Sequence, residues 1–230
     1  MIHNGGYETP PFLLSLTNTM ETNLSDGFEN ISDATAYGLF MTPVARYINK
    51  DHIEHKTILM EYIQGLQQVK NEPRPYISRG ITQLGPDNVL EMPQLAPIKE
   101  MIIDAVQKAN KSSYNYALDK ISIVDSYIEL TNEGGMYAPH EHSNVIYSGT
   151  YYINFDIQKH SIMKFRRYIG SPHYPVLQMN YTGQNAFNQL EAEIPHNEGD
   201  VIIHPPNIQH GYENNGHGNR IALSFNIAPF

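Results

Sequence analysis

Two histidines one residue apart, His140 and His142, and a distant third, His210, are the residues whose type and spacing best suit chemistry. In a strand, residues i and i+2 point to the same face, so an H-x-H pair can present two imidazoles to one metal ion. His210 ends the run GDVIIHPPNIQHG. That run reads as a turn, a buried strand at Val201 to Ile203, a break at Pro205-Pro206, and a histidine entering the next strand. Two ligands from one strand and a third from a neighbour leave positions open for a cosubstrate and oxygen, an arrangement suited to non-haem iron. The chain has no cysteine. Thiolate sites and disulfides are therefore excluded, and any metal must be held by His, Asp or Glu.

Two competitors stand beside this set. Glu141 offers the carboxylate that iron oxygenases commonly use, but it points away from His140 unless the backbone bulges. His204 ends a strand close to His210 and could instead orient a ligand through a hydrogen bond. His3, His52, His55, His160 and His217 sit in polar surroundings and need no role.

Arg220 follows in NRIALSFNI, where Ile221, Leu223 and Phe225 alternate with Arg220, Ala222 and Ser224. One face is apolar and the other carries a guanidinium. Inside a β-roll such a group needs an anion, since a buried unpaired charge is costly. A dicarboxylate cosubstrate would supply one through a bidentate contact. A surface arginine paired with an acidic side chain is the bland alternative.

The elements that must position these residues fall in two blocks. Residues 1–36 read as an irregular polar arm or edge strands. A helix is expected over 51–70, with Ile58, Leu59, Tyr62, Ile63, Leu66 and Val69 on one face and Asp51 with Glu54 as a capping box. Residues 71–93, rich in Pro and Gly, read as a long connection with one short strand, a plausible lid. A second helix is expected at about 95–111, with Leu95, Ile98, Met101, Ile102, Ala105, Val106 and Ala109 as its stripe and Pro97 in the first turn. From 120 onward the texture is short β-branched and aromatic runs. Strands are expected at 121–131, 136–142, 145–155, 162–168, 175–180, 200–204, 208–212 and 219–228, punctuated at Gly134-Gly135, Asn197 to Asp200 and Asn214 to Gly218. The fold class is α+β, mainly β: a double-sheet roll or sandwich behind supporting N-terminal helices. The expected organisation is 1–115 as arm and supporting helices of the same domain, and 116–230 as the core.

Charge narrows the partners. Lys plus Arg total 15 against 24 Asp plus Glu, a formal charge of −9. Such a chain repels phosphate backbones, and Lys164, Arg166 and Arg167 are too small a basic patch to reverse that, so nucleic acid is not expected as the main partner. No apolar run reaches membrane-span length and the start has no basic leader, which predicts a cytoplasmic protein.

The pattern GGMYAPHEHSNVIYSGTYYINF, followed by EGDVIIHPPNIQHGYENNGHGNRIALSFNI, resembles a family of 2-oxoglutarate/Fe(II)-dependent dioxygenases of a type common in cyanobacterial viruses and marine bacteria. The similarity covers about 115–230 and extends weakly to FMTPVARYI, which is similar to an F-x-T-P opening. The resemblance implies a double-stranded β-helix, or jelly roll, with His140 as first ligand, His210 as distal ligand and Arg220 on the far carboxylate of 2-oxoglutarate. The implied cofactors are Fe(II) and 2-oxoglutarate, and the implied partners are oxygen and a small-molecule or protein side-chain substrate; a homodimer is compatible with it. Two positions depart from the wider pattern. The acidic residue expected two places after the first histidine is His142. The serine expected two places after the arginine is Ala222, with Ser224 one pleat further on; Tyr127 or Tyr152 could supply the missing hydroxyl. A three-histidine cupin-type dioxygenase that uses no 2-oxoglutarate, and a non-enzymatic β-roll binding or virion module, are the alternative expectations.

Overall fold

The computed structural model describes residues 41–66, 69–71, 76–118, 120–167, 182–183 and 188–229. Met41–Gly170 and Leu190–Phe230 form one compact unit. The strand expected at 175–180 and the arm at 1–36 lie outside the described residues.

The chain opens with β1 (Ala45–Ile48) and helix α1 (His52–Gln64), continues through β2 (Val69–Asn71) and β3 (Ser78–Leu84), passes two 3-10 turns, and enters helix α2 (Ala96–Ser112). Then come β4 (Ile121–His140), β5 (Tyr147–Asn154), β6 (Lys164–Arg166), β7 (Glu191–Glu193), β8 (Asp200–His204), β9 (Gln209–Tyr212) and β10 (Arg220–Pro229). The sheet order is β1-β8-β5-β10-β4-β9-β6-β7, with β3 added on β4 and β2 on β3, and every pairing is antiparallel. The sheet curls on itself. His204 of β8 and His210 of β9 are far apart in that order, yet their rings lie 4.2 Å apart.

Helix α1 is shorter than its apolar stripe suggests. It stops at Gly65, where glycine costs about 1 kcal/mol in a helix interior, and Val69, expected on its last turn, instead starts strand β2 opposite Leu84. The capping box does not form: Asp51 makes no side-chain cap bond, and its own N–H donates to Asn49 Oδ1 at 3.1 Å. The 71–93 segment is not lid-like where described, because Ser78–Leu84 pairs with β4 along its length. Helix α2 behaves as its pattern predicts, burying Ile98, Met101, Ile102, Ala105, Val106 and Ala109.

That helix packs on the apolar outer face of the sheet, where Ile128, Tyr151, Ile153, Val201, Ile203, Leu223, Phe225 and Ile227 join it in one core. Each fully buried aliphatic side chain of this kind contributes roughly 1.5–3 kcal/mol. The opposite rows, such as Arg220, Ala222, Ser224 and Asn226 on β10, line a cavity inside the roll. Period-two alternation thus builds a dry exterior joint to the helix and a polar interior.

The two strands expected at 121–131 and 136–142 are one. Gly134 and Gly135 do not end a strand; they bend it. Gly134 adopts φ +72°, and a Cβ on Gly135 would lie 2.5 Å from Thr131 Cγ2 and 2.9 Å from the Gly80 carbonyl. Before the bend β4 pairs with β10, Thr131 opposite Arg220; after it, β4 pairs with β9, Tyr137 opposite Tyr212. A bulge of this kind re-aims the side chains beyond it. Among the described residues no helix is long and apolar enough to cross a membrane.

Candidate metal and cosubstrate site

His140 is the last residue of β4 and stands opposite His210 in the register with β9. The pleat argument for His142 fails in detail, because the strand ends at His140 and His142 lies in the segment that follows. Its backbone N–H donates to the Pro206 carbonyl at 2.9 Å, and that contact turns the chain back toward the site. Glu141 between them is exposed. One ring nitrogen from each of His140, His142 and His210 lies within 4.8 Å of the others, and among the described residues no other group of His, Asp or Glu converges in this way.

The tautomers suit a cation. His140 Nδ1 is 2.9 Å from the Ala138 carbonyl and His210 Nδ1 is 3.0 Å from the Ile208 carbonyl. A carbonyl only accepts, so each Nδ1 carries its hydrogen and each Nε2 presents a lone pair. His142 Nε2 and His210 Nε2 face each other at 3.2 Å. Burial, then the neighbouring His204 and His140, pushes the His210 imidazole down to about 2, so it stays neutral and available. Three convergent imidazole nitrogens are a donor set that iron accepts.

His204 is buried behind this group, its ring 4.2 Å from His210 and 5.3 Å from Phe165, and burial pushes it down to about 4. Its Nδ1 donates to the Pro205 carbonyl at 3.0 Å. It backs His210 rather than joining the converging nitrogens.

Arg220 is 2 % exposed. Its guanidinium carbon lies 4.2 Å from the Tyr212 ring centre, 5.3 Å from Tyr152 and 6.0 Å from Phe155, so it sits in an aromatic cage. Its Nε and Nη2 have no hydrogen-bond partner. Leaving a buried charged donor unmet costs several kcal/mol. The arrangement fits an incoming carboxylate, which accepts two parallel N–H bonds.

One cavity, open at its mouth, is lined by His140, His142, His210, Arg220, Tyr127 and Ser224. Tyr127 and Ser224 are register partners. They stand four residues from Arg220 along β10, roughly 13 Å at strand rise, whereas Tyr152 lies against Arg220 itself. The Tyr152 hydroxyl is buried and without a partner, and burial pushes it up to about 12.

Sequence reasoning missed four residues here. Tyr212 caps the guanidinium, and its place two residues after His210 in a strand is a same-face signal that could have found it. Glu129 and Tyr137 line the cavity, with the Tyr137 hydroxyl donating to Glu129 Oε1 and the Tyr137 ring 5.4 Å from that of His140. They meet only because β4 bends between them. His196 packs against Tyr152 and stacks on Phe155 from a segment with no strand pattern.

Residues 125–226 match the family model described as "Putative 2OG-Fe(II) oxygenase". Solved structures share the fold. A prolyl-4-hydroxylase from Pseudomonas putida aligns with TM-score 0.57 and 10% identity over 83% of this chain and 94% of its own. HygX from Streptomyces hygroscopicus, solved with nickel, 2-oxoglutarate and hygromycin B bound, aligns with TM-score 0.57 and 11% identity over 82% of this chain and 83% of its own. A prolyl hydroxylase from Trichoplax adhaerens, in complex with a hypoxia inducible factor peptide fragment, aligns with TM-score 0.52 and 10% identity over 81% and 84%. No curated protein sequence matches the chain. Residues 125–226 thus carry a match to the 2OG-Fe(II) oxygenases, oxidoreductases that work with Fe(II) and 2-oxoglutarate, and the solved structures share the fold around them.

Proposed function

We propose that this protein is a hydroxylase that holds Fe(II) with His140, His142 and His210 and anchors 2-oxoglutarate with Arg220 and Tyr152. The observation that carries this reading is the sharing of one cavity by a cluster of convergent imidazoles and a buried guanidinium with unmet donors. Bound Fe(II) would activate oxygen, the oxidant, with two electrons drawn from 2-oxoglutarate and two from the substrate C–H, so that one oxygen atom ends in succinate, the other in the new C–OH, and carbon dioxide leaves. The residues do the positioning. The Ala138 and Ile208 carbonyls hold the His140 and His210 rings edge-on to the centre. The bend at Gly134-Gly135 sets His140 opposite His210. The cage of Tyr212, Tyr152 and Phe155 excludes water from Arg220, which strengthens its contact with a carboxylate. His140 and His142 are half-buried, so substrate enters at their end of the cavity.

The substrate is a small molecule or a protein side chain; among the similar structures, one holds hygromycin B and another a peptide. A cytoplasmic setting suits the reading, since it supplies ferrous iron and 2-oxoglutarate together. The all-histidine ligand set favours a second reading, a three-histidine dioxygenase without 2-oxoglutarate. The unmet donors of Arg220 count against it. Release of carbon dioxide from 1-labelled 2-oxoglutarate decides between them: release that requires Fe(II) and is lost in Arg220→Ala supports the first reading, and oxygen uptake without it supports the second.

A further inference from the structure

Among the described residues, four buried side-chain polar atoms lack a hydrogen-bond partner, and they belong to a single neighbourhood: Arg220 Nε and Nη2, Tyr152 Oη and His196 Nε2. His196 is 2 % exposed. Its ring centre lies 3.9 Å from that of Tyr152 and 4.7 Å from that of Phe155, two of the rings that cage Arg220. Its Nδ1 sits 2.7 Å from the Ile194 carbonyl and must donate there, so Nε2 of the neutral ring is the nitrogen without hydrogen.

A carboxylate brings acceptors only. It can satisfy both Arg220 donors and the Tyr152 hydroxyl, but it has nothing to give His196 Nε2. One proton resolves the mismatch, because it turns Nε2 into a donor and places a second cation against the Tyr152 and Phe155 rings that cage Arg220. We propose that His196 takes up one proton from solvent when a dicarboxylate binds at Arg220, so that 2-oxoglutarate affinity strengthens as pH falls. This rests on the reading of Arg220 as the cosubstrate anchor.

The groups facing His196 support that coupling. Arg220 comes from β10 and Tyr152 from β5; Asp200 of β8 is already bonded by Arg46 of β1 at 2.7 Å. Without ligand, burial and then the Arg220 charge hold the imidazole neutral, down to about 4, while the Ile194 carbonyl and Asp200 pull the other way. A carboxylate on Arg220 offsets the opposing charge. By linkage, uptake of a full proton strengthens binding tenfold per pH unit.

The test is calorimetric titration of 2-oxoglutarate into the full chain preloaded anaerobically with Fe(II), in two buffers of different ionisation enthalpy, at pH 6 and pH 7.5. Wild type, His196→Phe and His196→Asn are compared. The Phe variant keeps a flat ring against Tyr152, so it separates packing from protonation. The expected result is buffer-dependent heat in wild type at pH 6, smaller at pH 7.5, with affinity several-fold tighter at the lower pH. Both variants should show no proton uptake and a pH-independent affinity. Binding without proton uptake in wild type, or equal uptake in the variants, overturns this inference alone. Absence of any 2-oxoglutarate binding overturns it together with the anchor reading beneath it.

Discussion

His142 and His210 bring their Nε2 atoms to 3.2 Å of each other although one leaves a strand and the other sits inside its neighbour. With the His210 hydrogen held on Nδ1, its Nε2 accepts from His142 Nε2–H, and a metal ion replacing that hydrogen would be shared by both nitrogens. Either histidine alone should then matter more than any nearby polar residue. His210→Ala is expected to abolish stoichiometric Fe(II) binding, and Glu141→Ala to leave it unchanged within about twofold, as equilibrium binding under anaerobic conditions would show. Loss of iron in the Glu141 variant would move the ligand set.

Arg220 predicts an unusual pairing of effects. Arg220→Met replaces a buried unmet cation with an apolar chain of similar length. Removing such a charge is neutral or stabilising by about 1–4 kcal/mol. The metal-free variant should therefore unfold at the same temperature or higher, while 2-oxoglutarate binding weakens by about 100-fold. A variant that lost stability and kept 2-oxoglutarate would show that the guanidinium has a structural partner instead.

The hydroxyl assignment is separable by paired substitutions. Tyr152 lies against the guanidinium and Ser224 four residues along the strand. Tyr152→Phe should weaken 2-oxoglutarate by about 10- to 150-fold, the worth of a hydrogen bond to a charged group. Ser224→Ala should change it less than about twofold. The reverse pattern in the same titration would give the anchor to Ser224.

The metal-free protein should be acid-sensitive. Burial holds His196 and His204 down to about 4 and His210 down to about 2. The unfolded chain titrates these near 6.5, so below that pH it binds more protons than the folded chain. Stability is fully present above about pH 6.5 and is lost as pH falls toward 4, by about 1.4 kcal/mol per pH unit for each histidine. Thermal melts across pH 7.5 to 4.5 should show this decline, and a flat profile would contradict the buried neutral state.

Gly135 carries a backbone prediction. Its missing Cβ would meet Thr131 Cγ2 at 2.5 Å and the Gly80 carbonyl at 2.9 Å. Gly135→Ala is expected to cost about 1–3 kcal/mol in chemical denaturation, and to weaken Fe(II) binding as His140 moves with the bend. Unchanged stability would mean that β4 can bend elsewhere.

How much of this was readable from residue order depends on range. The helical stripe of α2 and the alternation of β10 survived, because each is set by local periodicity against one apolar surface. Strand β8 came out at Asp200–His204, bounded by its turn and by Pro205. Misread features were those decided at long range. Val69 fits a helix face until Leu84 is available to pair with it. Gly134-Gly135 is a turn signal in isolation and a bend once Gly80 lies against it. His140, His142, His210 and Arg220 were visible as types with spacing, but the reason His142 reaches the group is a bond to Pro206, which no spacing encodes. Tyr212, His196 and the Glu129–Tyr137 pair depend on which strands curl together.

Joint binding of Fe(II) and 2-oxoglutarate is tested by an anaerobic optical titration of the metal-free protein with Fe(II) and then 2-oxoglutarate. A visible charge-transfer band should need both additions and be absent from His210→Ala and Arg220→Met. Fe(II) binding with no such band at saturating 2-oxoglutarate would contradict joint binding.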